Sequence, residues 1–197
     1  MQTKTLSFAI VAALLVVSVI VISETQIAEA KKSPKHFKAK INADQEVLDS
    51  VPDPTLWDDV KAKGDVKFKL SKDGSELKYK IKIKNIENIV GIHIHNGSPG
   101  MNHHDHLVDI IPSDVTNPIN QKGKYFKMSG VITDADVLHN HMTGEHRTLT
   151  DLVDAMTNSH AYLQVHTSSD ADATTNTGPG DLYAPGEVRG NISPGHK

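Results

Sequence analysis

The stretch Gly91-Ile92-His93-Ile94-His95 alternates apolar and ionisable side chains, a pattern typical of a β-strand. Successive strand side chains point to opposite faces, so the isoleucines share one face and the histidines share the other. The segments 161–167 (AYLQVHT) and 185–190 (PGEVRG) alternate in the same way. We therefore predict three strands with a common apolar face that enters a core. Histidine, glutamate and arginine side chains then lie on the opposite face or at its edge. There they form either a functional site or a surface that is unusually rich in ionisable side chains.

Most of the remaining segments also repeat with period two, and turn residues separate them. One short helix is predicted, because apolar residues recur at helical spacing from Leu149 to Asn158 and either Thr148 or Thr150 can cap it. Many short strands with turns between them predict an all-β, antiparallel sandwich or barrel. The predicted strands span residues 36–43, 65–70, 77–84, 90–95, 107–111, 125–132, 161–167 and 186–192.

A lysine-rich face is predicted for the hairpin formed by 65–70 and 77–84, which flank the Asp73-Gly74 turn signal. We interpret this face as the solvated side of an antiparallel sheet, where lysines also discourage edge pairing. The alternative interpretation is a binding surface for acidic polymers.

Residues 1–30 have the layout of a secretory signal peptide. Lys4 precedes an apolar run over residues 6–22, and Ala28-Glu29-Ala30 supplies a small-residue cleavage pattern. The run has 17 residues, at the short limit for spanning a bilayer, so an uncleaved N-terminal anchor is the alternative. Both interpretations predict a secreted or cell-envelope protein. Any contact with the membrane would then be made through the uncleaved segment.

Residues 31–197 have the size of one domain with its own core. Residues 1–30 contain one of the 21 basic and two of the 24 acidic residues, which leaves 20 against 22. This balance argues against nucleic acid as the partner, because phosphate binding needs a basic surplus. The chain has no cysteine, so its stability depends on its core or on a bound ion rather than on disulfides.

The order of the three motifs resembles the CHRD domain, a family first described in chordin. The sequence has GIHIH followed by an Asn-Gly-Ser-Pro-Gly turn, then AYLQVHT, then PGEVRGNI. The resemblance covers about residues 37–192. It implies a β-sandwich or barrel similar to immunoglobulin-like and copper/zinc superoxide dismutase folds, and it implies no settled activity.

The 12 histidines of the chain favour a metal site. His93 and His95 share a strand face, and His166 on a neighbouring strand completes a three-nitrogen set for copper or zinc. The adjoining loop adds further candidate ligands, and Asp105 is positioned to ligate the ion or to orient a ligand. These further candidates are His103, His104 and His106.

Two other interpretations remain open for the same residues. The histidines, with Glu187 and Arg189 as an ion pair, form a polar network that ties three strands together without any metal. Alternatively, the protein is a copper-dependent redox enzyme, since the Gly-x-His-x-His segment is similar to the copper-binding strand of superoxide dismutases. That family's cysteine pair is missing here. We therefore expect an exported, non-enzymatic protein that binds a metal ion or another extracellular or envelope ligand.

Overall fold

Nine β-strands and one α-helix make up most of the chain that the computed structural model describes, which is residues 34–48, 54–102, 105–114, 116–119, 125–140, 142–168 and 186–195. The elements are β1 (His36–Asn42), β2 (Lys63–Leu70), β3 (Leu77–Lys84), β4 (Ile89–Asn96), β5 (His106–Ile111), β6 (Tyr125–Ile132), α1 (Leu149–Thr157), β7 (Ala161–Thr167), β8 (Val188–Asn191) and β9 (Ser193–Pro194). The predicted leader, residues 1–30, lies outside the described residues, as do His103 and His104.

The all-β prediction is confirmed, and the short helix is present where the spacing predicted it. The Thr148 hydroxyl accepts a hydrogen bond from the Asp151 amide, and the Asp151 carboxylate accepts one from the Thr148 amide at 2.7 Å. This reciprocal capping box makes Thr148, rather than Thr150, the N-cap of α1. Within the described residues, no helix is long and apolar enough to span a membrane.

The strands form one antiparallel sheet that curls around a core, in the order β5-β4-β7-β8-β1-β2-β3-β6, with β9 beside β1. A single register pair, Asn42 with Arg189, joins β8 to β1. We divide the sheet into two parts at this pair; β9, which follows β8 after Ile192, adds the pairs Phe37–Pro194 and Lys38–Ser193 with β1. We call β5, β4, β7 and β8 the histidine half, and we call β1, β2, β3 and β6 the lysine half.

The inner faces of both halves pack into one hydrophobic cluster. The histidine half contributes Ile92, Ile94 and Val165, while the lysine half contributes Val66 and Ile83, all of them fully buried. Each such side chain contributes about 1.5–3 kcal/mol when it is removed from water. The shared core is therefore the main force that holds the two halves together.

The outer faces of the two halves differ. In β3 of the lysine half, residues alternate between buried and exposed, as in a sheet with one wet face. In β7 of the histidine half every residue is buried, and in β4 every residue except Asn96 is buried. The predicted surface of ionisable side chains on these strands is therefore not exposed to solvent. The polar side chains share a face as predicted, but that face is covered.

Connecting segments cover the outer face of the histidine half. On one side lie the described parts of the connection from β1 to β2, residues 43–48 and 54–62: Gln164 donates to the Glu46 carboxylate at 3.1 Å, and the Trp57 indole donates to the Gly186 carbonyl at 3.0 Å. On the other side lies the loop after β4, residues 97–102. These two segments, which we call the cover, shield the polar residues of β4, β7 and β8 from solvent.

Candidate metal centre

His93 and His95 lie on the outer face of β4, with their ring centroids 5.7 Å apart. Both side chains are buried, with 2% and 4% of their surface exposed. Gly91 makes room for this arrangement, because a Cβ at that position would lie 2.9 Å from His93 Cε1. The glycine of the GIHIH motif thus allows the His93 ring to fold back along its own strand.

His106 joins these histidines through a bulged pairing of β4 with β5. The register pairs His95 with His106 and His93 with Asp109, so the ladder shifts by one residue between the two pairs. In a regular strand, residues three apart point to opposite faces, whereas an extra residue re-aims one of them. His106 and Asp109 consequently meet on one side of β5, where Nδ1 and Oδ1 are 2.7 Å apart.

The three histidines form one compact group. One ring nitrogen from each of His93, His95 and His106 lies within 4.8 Å of the other two. Zinc–nitrogen bonds of about 2.0–2.1 Å place two tetrahedral ligands roughly 3.3 Å apart. Small rotations of the side chains therefore suffice to bring the three nitrogens around one ion. An all-imidazole set without thiolates suits zinc, copper or nickel.

His166, the third ligand that the sequence analysis proposed, lies farther from the group. It is buried on β7, and its ring centroid is 5.2 Å from that of His93 and 6.4 Å from that of His95. The corresponding centroid distances for His106 are 4.3 and 4.4 Å. The geometry thus favours His106, which begins β5 rather than lying in the loop, as the third nitrogen donor.

Two polar partners hold these rings. Ser113 Oγ lies 3.0 Å from His93 Nε2, and Asp109 Oδ1 lies 2.7 Å from His106 Nδ1. A carboxylate only accepts hydrogen bonds, so the proton of the neutral His106 ring is on Nδ1 and its Nε2 is available to a metal. His93 Nδ1 is buried and has no hydrogen-bond partner among the described residues. Coordination to an ion would satisfy this atom.

The His93 imidazole is electrically neutral over the physiological range. Its pKa is lowered to about 3, first by burial and then by the charges that His166 and His106 carry when they are protonated. A neutral imidazole is the form that binds a metal, because its nitrogen lone pair is free. His93 therefore needs to lose no proton at neutral pH in order to act as a ligand.

A stack of three side chains connects the group to the cover. The Tyr162 ring lies parallel to the His95 ring, with centroids 4.9 Å apart, and the Arg189 guanidinium carbon lies 3.4 Å from the Tyr162 centroid. Arg189 also donates to the carbonyls of Ser98, at 3.2 Å, and Met101, at 2.7 Å. These hydrogen bonds hold the loop 97–102 over Tyr162. The stacking of Tyr162 on His95 in turn restrains the orientation of the His95 ring.

Glu187 and Arg189 have different partners from those in the predicted ion pair. Glu187 accepts a hydrogen bond from the Thr167 hydroxyl, and burial raises the pKa of its carboxyl. The carboxyl group that acts electrostatically on Arg189 is Glu46. Burial raises the pKa of Glu46 well above its usual value, while the charge of Arg189 opposes that shift.

Asp105 binds an arginine, Arg147. Its two carboxylate oxygens bind Arg147, with Nη1 at 3.0 Å from Oδ1. The same Nη1 donates to the backbone carbonyl of His106 at 3.4 Å. Asp105 therefore contributes to the position of His106 through Arg147 and the backbone.

Several site residues were missed by reasoning from the sequence. An acid three residues after His106 is a visible signal for Asp109, but regular alternation places it on the other face. Ser113 and Arg147 carry no comparable signal, because their partners are 20 and 42 residues away in the chain. Tyr162 is four residues before His166 in β7, so the sequence predicts that the two share a face. The sequence does not predict that Tyr162 stacks on His95.

The fold and the site define a class of protein: an antiparallel all-β domain with three histidines gathered on a bulged pair of strands. The profile of the CHRD domain family matches residues 37–172, more than half of the chain, and the chain belongs to this family. The match contains the first two motifs and ends before PGEVRG at 185–190. CHRD domains occur in extracellular proteins. Among curated proteins, no sequence matches the chain.

Proposed function

We propose that this CHRD-domain protein is exported and non-enzymatic, and that it binds one copper(II) or zinc ion through His93, His95 and His106. The observation that carries the proposal is the approach of one nitrogen from each imidazole to within 4.8 Å of the others. Three nitrogen donors from one protein are a common ligand set for these metals.

The surroundings of the three rings support this role. Burial holds His93 in its neutral form, and the Asp109 carboxylate orients His106 by accepting from its Nδ1. Carboxylates in this position typically raise the basicity of the ligating nitrogen, and their loss costs about tenfold to a hundredfold in metal affinity. His106 retains 32% side-chain exposure, which gives an ion a route from solvent to the buried pair.

The test is the metal content of the purified protein after loading with copper or zinc and extensive dialysis. We expect one ion per chain in the parent protein and none in a His93→Ala/His106→Ala variant that circular dichroism shows to be folded. A matched control, His139→Ala/His160→Ala, removes two exposed histidines and should keep the ion. Equal metal content in all three proteins, or none in the parent, contradicts the proposal.

Single substitutions identify the third ligand. His106→Ala should abolish stoichiometric binding, whereas His166→Ala should leave one ion per chain, because the His166 ring lies farther from His95 than the His106 ring does. The reverse result would make His166 the ligand and would show that the β5 bulge does not build the site. Asp109→Ala should weaken binding by about tenfold or more, as expected for a carboxylate that orients a ligand.

A further inference from the structure

The outer face of the lysine half concentrates positive charge. Its four strands present ten lysines, of which two lie on β1, three on β2, four on β3 and one on β6. A single carboxylate, Asp65, shares this face in the described strands. The whole chain has a formal net charge of −3, so the positive charge is a property of this face and not of the composition.

The lysines around Lys67 are arranged unfavourably for folding alone, whereas Lys40 and Lys82 both lie opposite Asp65. Lys67 lies directly opposite Lys38 on one side and Lys80 on the other, and Lys82 lies opposite Lys127. Like charges in opposing positions destabilise a sheet. Protection of a sheet edge does not explain Lys67 and Lys80, because β2 and β3 each have a partner on both sides.

The face carries two shallow, open depressions. A depression of about 790 Å³ is lined by Lys67, Lys80 and Lys127, among others, and a second one of about 530 Å³ is lined by residues that include Lys63, Lys84 and the acidic Asp44. The two depressions share Lys40, Asp65 and Lys82, so they adjoin. Together they form a groove that runs across several strands.

We infer that this groove binds a linear acidic polysaccharide. Charge complementarity identifies the partner: neighbouring strands are about 4.8 Å apart and alternate residues of a strand about 6.7 Å, so the ammonium groups form a dense two-dimensional array. A chain with an anionic group on successive sugars can contact many of them at once. Lysine is a flexible point charge that suits carboxylate or sulfate without a fixed geometry.

Other polyanions fit this face less well. Single-stranded nucleic acids need aromatic rings on which bases stack, and the Tyr125 ring of this face already has the Lys82 ammonium 4.1 Å from its centroid. Membrane-surface elements combine basic residues with apolar side chains that insert into the lipid. Val131 is the only exposed large hydrophobic residue in the described strands of this half.

The experiment compares affinities for polygalacturonate oligosaccharides, single-stranded DNA and anionic lipid vesicles at low and high salt. The variant Lys67→Gln/Lys80→Gln removes the centre of the groove, and Lys61→Gln/Lys72→Gln removes the same charge from exposed sites outside these strand faces. A lysine near an anionic surface is worth roughly fivefold in affinity. We therefore expect the first variant to bind polygalacturonate about 25-fold more weakly at low salt and the second to change it less than about twofold.

A thermal unfolding temperature no lower than that of the parent, together with unchanged metal content, shows that both variants are folded, and the metal content keeps this test separate from that of the metal site. No binding of the parent protein to polygalacturonate at low salt would overturn the inference. So would equal losses in the two variants. Tighter binding to DNA or to vesicles than to polygalacturonate would also overturn it, by assigning the groove to a different polyanion.

Discussion

The lysine half and the histidine half start from the same strand periodicity and end in opposite environments. In β3 the outward residues Lys78, Lys80 and Lys82 remain exposed, whereas β7 and all of β4 before Asn96 are buried on both faces. The inner faces are alike, because both halves send isoleucine and valine into one core. The difference arises from the connections: the described parts of the β1–β2 segment, around Glu46 and Trp57, and the loop at 97–102 lie over the histidine half. Alternation therefore specifies which residues share a face, while the cover decides whether that face is wet.

The ionisable groups of the two halves respond accordingly. Asp73, in the turn between β2 and β3, is exposed, and hydrogen bonds from Ser71 and Ser75 lower its pKa to about 2. Glu187, next to β8, is partly buried, and burial raises the pKa of its carboxyl. Two carboxyl groups thus shift in opposite directions, because one is solvated and hydrogen-bonded while the other loses its hydration.

The largest expected effect on the free energy of unfolding comes from replacing a buried cation, and replacing an exposed cation provides the comparison. Arg189→Met should destabilise the protein by about 3–5 kcal/mol, because it leaves the Ser98 and Met101 carbonyls and the Glu46 carboxyl without the guanidinium. Lys80→Met, on the wet face, should change the free energy of unfolding by less than about 0.5 kcal/mol. Urea denaturation measures both. Similar losses in the two variants would remove the distinction between the halves.

Metal should stabilise the histidine half and thereby the whole cooperative unit. At a free metal concentration of about 100 times the dissociation constant, the free energy of unfolding should rise by about 2.7 kcal/mol. The rise should disappear with a chelator and in His93→Ala/His106→Ala, yet persist in Lys67→Gln/Lys80→Gln. Calorimetric melting with and without zinc checks this. A rise that survives the histidine substitutions would mean that the ion binds elsewhere.

Acidity should act on the covered half through Glu187. Because its folded-state pKa is raised, the folded protein holds this proton more tightly than the unfolded chain does. The stability that this bound proton contributes is therefore fully present below the pKa of the unfolded chain, about 4.3. It is lost as the pH rises through the pKa of the folded protein. Glu187→Gln imitates the protonated carboxyl, so it should be more stable than the parent at neutral pH and equal to it near pH 4. A difference in melting temperature that is independent of pH would contradict this account.

The smallest expected effect lies on the wet face. Lys67→Glu replaces two like-charge pairs, with Lys38 and Lys80, by two opposite-charge pairs. Each pair is worth roughly 0.2–1 kcal/mol, so the variant should be about 1 kcal/mol more stable at low salt. The gain should largely vanish at about 1 M salt, where the screening length is near 3 Å. A stabilisation unaffected by salt would indicate that packing, not charge, is responsible.

Much of the site could be predicted from the sequence, because the alternation of side chains between the two faces of a strand is a local property. GIHIH places His93 and His95 side by side, and the same rule puts Tyr162, Gln164 and His166 on the matching face of β7. The rule failed at β5, where the shifted ladder brings Asp109 and His106 onto one side. A bulge depends on how two strands pair, so the sequence of one strand does not reveal it.

The sequence by itself predicted eight of the nine strands, the short helix, the family and the common face of His93 and His95. These follow from the period of two, from turn and capping residues, and from motif order, all of which act over a few neighbours in the chain. Only the tertiary structure decided that the histidine face is buried and that Arg189 reaches Ser98 and Met101, 91 and 88 residues away. Burial depends on which distant segments pack over a strand, and the free energy of that packing belongs to the whole fold.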